Sequence, residues 1–228
     1  MDLSITKKKQ VLLTHLVTIG DSWPAGAELT DSNNSFPVLI AGKLSVESVN
    51  LAEPATSADQ ALYRLLNTSS DIDWQRTLVL FCLTCISRSM NIDYLHPREI
   101  HQSSKTPASI AYYKYIHSNE LDQFNRIRNI LSAQQYCNMI GSKILFVNNW
   151  DKTPKHRAID QSLFYNKTLT EILHIGYRLN DTGVDWYNLP KHEYILPNQC
   201  HPNISGHQKI ADELSNWIKE KLNDQPVS

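Results

Sequence analysis

The 228-residue chain carries 22 Lys+Arg against 23 Asp+Glu, and so even a balance argues against a basic surface built to hold phosphate backbones. Hydrophobic residues at 41% and charged residues at 20% exclude wholesale disorder and suit a buried core. No run approaches the ~18 consecutive apolar residues of a membrane span, so neither nucleic acid nor membrane is an expected partner. One domain over 1–228 is expected. Lys7, Lys8 and Lys9 before Val11-Leu12-Leu13 imitate the start of a secretory signal, but Thr14 and His15 interrupt the run and no small-residue cleavage site follows. The expected location is therefore the cytoplasm. Four cysteines, Cys82, Cys85, Cys137 and Cys200, are too few for a disulfide scaffold and fit a reducing compartment.

In chain order, Val11 to Ile19 reads as a buried strand closed by the turn Gly20-Asp21-Ser22. Pro37 to Leu44 has helical spacing, Val46 to Leu51 reads as a short strand, and Ala58 to Leu66 as a helix. Thr77 to Ile86 is apolar nearly throughout, as a strand covered on both faces would be. Ser87 to Pro107 has no period and reads as a long loop. Helical patterns return at Ile110 to His117 and Leu121 to Ile140, where Leu121, Phe124, Ile127 and Leu131 form the apolar stripe. Lys143 to Asn149 is a fourth strand and Trp150 to Arg157 a second long loop. A final helix carries Ile210, Leu214, Trp217, Ile218 and Leu222 on one stripe, with Ser205 and Gln208 as a capping-box pattern. Strands alternating with helices predict an α/β fold with a parallel sheet covered on both faces, its ligand crevice outside the strands' C-terminal ends.

Two places on this frame suggest chemistry. Gly20-Asp21-Ser22 puts a hydroxyl at the C-terminal edge of the sheet, on a turn where glycine permits close approach; without a partner it is only a polar turn. Cys200-His201-Pro202-Asn203 puts an imidazole on a proline-restrained loop before the last helix, free to serve as a base. Other candidates carry less. Cys82-x-x-Cys85 has a metal-like spacing, but a strand turns residues three apart to opposite faces, so buried inert thiols are expected. His96, His101 and His156 read as solvent-exposed, with a place in a site wall as the alternative, and His207 reads as a capping or packing residue. Tyr112, Tyr113 and Tyr115 suggest a half-buried aromatic helix, the alternative being a platform for carbohydrate.

Gly20-Asp21-Ser22 after the first strand, together with His201-Pro202-Asn203-x-x-Gly206-His207-x-x-Ile210-Ala211 before the last helix, resembles the SGNH/GDSL hydrolases. The stretch Gly20-Asp21-Ser22-Trp23-Pro24-Ala25-Gly26 is similar to a divergent branch found in bacteriophage genomes, which makes a virion component the alternative location. The resemblance implies a three-layer α/β/α, flavodoxin-like fold and ester hydrolysis through a serine acyl-enzyme. Ser22 would be the nucleophile, His201 the general base, and the Ser22 N–H an oxyanion donor. The family's next block, an Asn and then a glycine donating its N–H, fits Asn50 to Ser57 with Ala55 in the glycine place. Alanine keeps the donor provided that the turn does not demand positive φ. No metal or organic cofactor is implied, and the substrate would be a small-molecule or glycan ester, such as an O-acetyl group on a carbohydrate.

Two blocks depart from the family. The expected Gly-x-Asn-Asp is here Leu83-Thr84-Cys85-Ile86-Ser87-Arg88, which removes an oxyanion amide worth about 3 kcal/mol of transition-state stabilisation. Thr84, Ser87 and Arg88 are the candidate substitutes, Arg88 foremost for an oxyanion or an anionic substrate group and equally readable as an ion-pair partner. Asp21, beside the nucleophile, belongs to the same substrate-binding set. Three residues before His201, where the family has Asp, stands Asn198; it can orient the imidazole but brings no charge to an imidazolium. Asp185, Glu193 and Asp151 are the carboxylates that could compensate. The rival expectation is a binding or structural module that keeps the fold and has lost the chemistry.

Overall fold

The computed structural model describes residues 12–68, 71–86, 88–92, 97–100, 106–175, 179–180, 183–184, 193–196 and 201–223. In chain order the elements are β1 (His15–Ile19), α1 (Ser22–Ala25), α2 (Phe36–Leu44), β2 (Glu47–Asn50), α3 (Ala58–Leu66) and β3 (Thr77–Leu83). They continue with β4 (Ser89–Ile92), β5 (Pro97–Ile100), α4 (Pro107–Tyr115), α5 (Asn119–Ile140), β6 (Lys143–Asn148) and β7 (Phe164–Thr168). The last are α6 (Leu169–Ile172), β8 (Leu179–Asn180), β9 (Gly183–Val184) and α7 (Ile204–Asn223).

The main sheet has five strands in the order β2-β1-β3-β6-β7, all parallel. The chain moves outward from β1 to β2 and then crosses to β3 on the other side of β1. Strand order therefore reverses between β1 and β3, and a ligand crevice opens at such a reversal, outside the strands' C-terminal ends. Alternation along the strands sends side chains to two cores. Leu16, Leu78, Leu80, Cys82, Leu145 and Val147 pack with Ile40 of α2 and Ile210, Leu214 and Ile218 of α7. Val17, Ile19, Val79, Phe81, Leu83, Ile144 and Phe146 pack with Leu62 and Leu65 of α3 and Ile130 and Ala133 of α5. The result is the three-layer α/β/α arrangement.

Several expectations need correction. The segment from Ser87 to Pro107 is not simply a loop: β4 and β5 pair as an antiparallel hairpin within it. β7 was not legible because Asn166 and Lys167 interrupt its apolar pattern, and at the sheet edge they face outward, exposed. The stripe read on α5 is rotated. Phe124 is 62% exposed, while Asp122, Arg126, Asn129, Ile130, Ala133 and Cys137 are buried. The Ser205–Gln208 capping box does not form; Asn203 Oδ1 accepts the Gly206 N–H at 2.9 Å, and Gln208 turns to Asp212.

Candidate active site

β1 ends at Ile19, and Gly20 must let the chain fold tightly over β3. A Cβ there would lie 2.9 Å from both the Cβ and the carbonyl oxygen of Cys82, closer than real Cβ atoms come, so only glycine fits. Asp21 then caps α1, accepting the Trp23 N–H at 3.2 Å. Its carboxylate is 1% exposed and ties three strand ends together. Oδ1 accepts from Asn149 Nδ2 at 2.8 Å, and Oδ2 accepts from Thr84 Oγ1 at 2.5 Å with Arg88 Nη1 at 3.7 Å. Asp21 is turned into the protein and builds the turn rather than facing a substrate. Thr84, one of the candidate substitutes for the missing oxyanion amide, is spent on Asp21, and Arg88 is placed against the same carboxylate. Ser87 and Asn198 lie outside the described residues, as do His96, His101 and Asp185.

Ser22 follows at the first position of α1, 7% exposed. The loop bearing Ala55 is laced to it: Asn50 Nδ2 donates to the Pro24 carbonyl at 2.8 Å, and the Glu53 N–H to the Gly20 carbonyl at 3.3 Å. Ala55 has φ 60°, so the proviso for a tolerable swap is not met: alanine keeps the backbone N–H but stands in the left-handed conformation that favours glycine. Among the described residues neither the Ser22 N–H nor the Ala55 N–H donates to a protein acceptor, as two oxyanion donors require.

His201 is held by backbone pairing. The Leu196 N–H donates to the His201 carbonyl at 3.0 Å and the Asn203 N–H to the Tyr194 carbonyl at 2.9 Å. Gly206 permits the contact, since a Cβ there would lie 2.3 Å from the Tyr194 oxygen. The imidazole Nδ1 lies 2.8 Å from Glu28 Oε2, a residue that no local pattern singles out, because the contact spans 173 positions. His201 is thereby brought to the loop that follows Ser22. Its ring and the Ser22 hydroxyl are not hydrogen-bonded to each other. Asp151 is committed elsewhere, to the Ile86 N–H at 2.9 Å and to Arg126, and Glu193 is exposed.

His207 is fully buried. Its Nδ1 accepts the Phe36 N–H at 3.1 Å, capping α2, while the ring stacks on Phe36. Burial, with a smaller push from His201, lowers its pKa to about 4. The buried thiols are inert: burial, and then the charge of Asp21, raise the Cys82 pKa well above its usual value, and burial pushes Cys137 up to about 12. His156 is exposed, Tyr112 is buried and Tyr115 is 73% exposed. Among the described residues no group of three His, Cys, Asp or Glu is placed to hold a metal ion, and no helix is long and apolar enough to cross a membrane. A cavity of about 890 Å³ lies at the far end of the sheet, against the starts of β3 and β6 at Leu78 and Lys143, away from Ser22.

No family model and no curated protein matches the sequence. Solved structures do. TesA superposes with a TM-score of 0.54 at 13% identity, over 91% of this chain and 99% of that one. The psychrotrophic esterase EstA from Pseudoalteromonas sp., in a structure inhibited by monoethylphosphonate, gives 0.53 at 14% identity over 92% and 100%. A protein from Desulfitobacterium hafniense described as lipolytic and of the G-D-S-L family gives 0.52 at 13% over 89% and 98%. Their similarity runs over nearly the whole of each chain, and the fold of this chain is accordingly that of the SGNH/GDSL hydrolases.

Proposed function

We propose that the protein is a serine ester hydrolase that removes an acyl group, with an O-acetyl or short acyl ester on a carbohydrate as its substrate class. The observation that carries the reading is the meeting of two distant segments: Ser22 stands where strand order reverses, and His201 is tied to the loop behind it. In the first step Ser22 Oγ attacks the ester carbonyl carbon and gives its proton to His201 Nε2. The negative oxygen is held by the Ser22 and Ala55 N–H groups, and the leaving alcohol takes the proton from His201. Water, activated by the same imidazole, then attacks the acyl-enzyme and releases the acid. The carbohydrate preference draws support from a cleft of about 650 Å³ beside the Ala55 loop, lined among others by Asn50, Glu53, Gln60, Tyr63 and Arg64. Polar groups with an aromatic side chain suit a sugar.

A binding module is favoured by one observation, the engagement of Thr84 by Asp21, which takes a candidate oxyanion donor out of the site. Hydrolysis of p-nitrophenyl acetate and butyrate separates the two. Wild-type turnover with a preference for acetate, reduced to background in Ser22→Ala, is expected; equal rates in the two proteins would leave the binding module.

A further inference from the structure

We infer that Glu28 is the positioning carboxylate of His201, in place of the residue three positions before the histidine; this rests on the ester-hydrolase reading above. Glu28 Oε2 is 2.8 Å from Nδ1, the ring nitrogen opposite the one that must receive the serine proton. A carboxylate there fixes the Nδ1–H tautomer, leaves Nε2 as the acceptor, and stabilises the imidazolium formed during attack without itself taking the proton. The charge that Asn198 cannot supply is thus brought from another part of the chain.

The backbone favours the same conclusion. Glu28 has φ 69°, a left-handed conformation that is unfavourable for a residue with a side chain and is retained where strain aims a functional group. The loop reaches that position because Gly26, at φ 70°, closes α1 with its N–H on the Ser22 and Trp23 carbonyls, and the Ala27 N–H then bonds Ser22 again at 3.0 Å. Glu28 stands six residues after Ser22, so one short loop sets both the nucleophile and the group that orients its base. Of the other carboxylates that could serve, Asp151 is held by Ile86 and Arg126.

The test compares Glu28→Gln, Glu28→Ala and Asn198→Ala with wild type, reading p-nitrophenyl acetate kinetics and the Nδ1–H resonance of His201 in ¹⁵N-labelled protein. Glu28→Gln, which keeps an acceptor but no charge, is expected to lower kcat roughly 10²–10⁴-fold with KM unchanged. The resonance should vanish in Glu28→Ala, while Asn198→Ala keeps the resonance and loses far less kcat than Glu28→Ala. Loss of kcat in Asn198→Ala with Glu28 variants unaffected would overturn the inference and leave the esterase standing. A wild type with no Ser22-dependent turnover would overturn the esterase reading, and the resonance would still decide Glu28: persistence in Glu28→Ala counts against it, and its loss supports it.

Discussion

Ala55, on the loop after β2, has an exposed side chain and φ 60°. Left-handed backbone costs alanine about 1–2 kcal/mol, partly offset because glycine would have more freedom to lose on folding. Ala55→Gly is therefore expected to stabilise the protein by about 0.5–1 kcal/mol in urea denaturation, with ester turnover retained because the N–H donor remains; a loss of stability would mean that the turn is unstrained. The places of Ser22 after β1, Ala55 after β2 and His201 before α7 were legible because each stands in a local pattern that names its turn or loop. Glu28 was not, since its role comes from a contact across 173 positions and its neighbours Ala27 and Leu29 form no motif. The inward role of Asp21 was hidden likewise, because its partners Thr84 and Asn149 arrive from the ends of other strands.

The α5 helix shows why apolar periodicity misled. Its first half buries polar residues, and each has a partner at the C-terminal end of the sheet, on α3 or in the connection from α4. Asp122 meets His117 Nε2 at 2.9 Å and Asn129 meets Asp59 at 3.1 Å. Arg126, 4% exposed, donates to the Thr84 carbonyl at 3.2 Å and to Asn148 Oδ1 at 2.6 Å, and lies 3.5 Å from Asp151. A guanidinium fork thus joins the ends of β3 and β6 directly under the Asp21 cluster. Arg126→Met leaves those acceptors without their donor and Asp151 without its cation. It is expected to cost about 2–4 kcal/mol in urea denaturation, and Arg126→Lys should recover less than half, because an ammonium cannot bridge both strands. A change below 1 kcal/mol in Arg126→Met would show the fork to be dispensable. β7 and the β4–β5 pair were hidden for a different reason, since their residues carry no continuous apolar run.

Across the whole molecule the frame was the most legible part: alternating strands and helices dictate a parallel sheet with two covered faces, and the fully buried β3 lies in its middle. His207 couples the two ends of that frame, joining α7 to the start of α2 as a neutral acceptor. Its pKa falls from 6.5 to about 4, so the unfolded chain binds a proton that the folded one refuses. The folded state keeps its full stability above pH 6.5, loses it progressively as pH falls toward 4, and loses about 3 kcal/mol in all from this group. His207→Gln, which retains an acceptor and does not titrate, should flatten that part of the stability profile measured by urea denaturation; an unchanged slope would place the acid sensitivity elsewhere. The central claim is that these ends meet at a working nucleophile. Reaction with a fluorophosphonate, with the adduct located by mass spectrometry, tests it most directly. A single adduct on Ser22 is expected, absent from Ser22→Ala and strongly slowed in His201→Ala; no adduct, or one on another residue, would mean that Ser22 and His201 do not form a nucleophile.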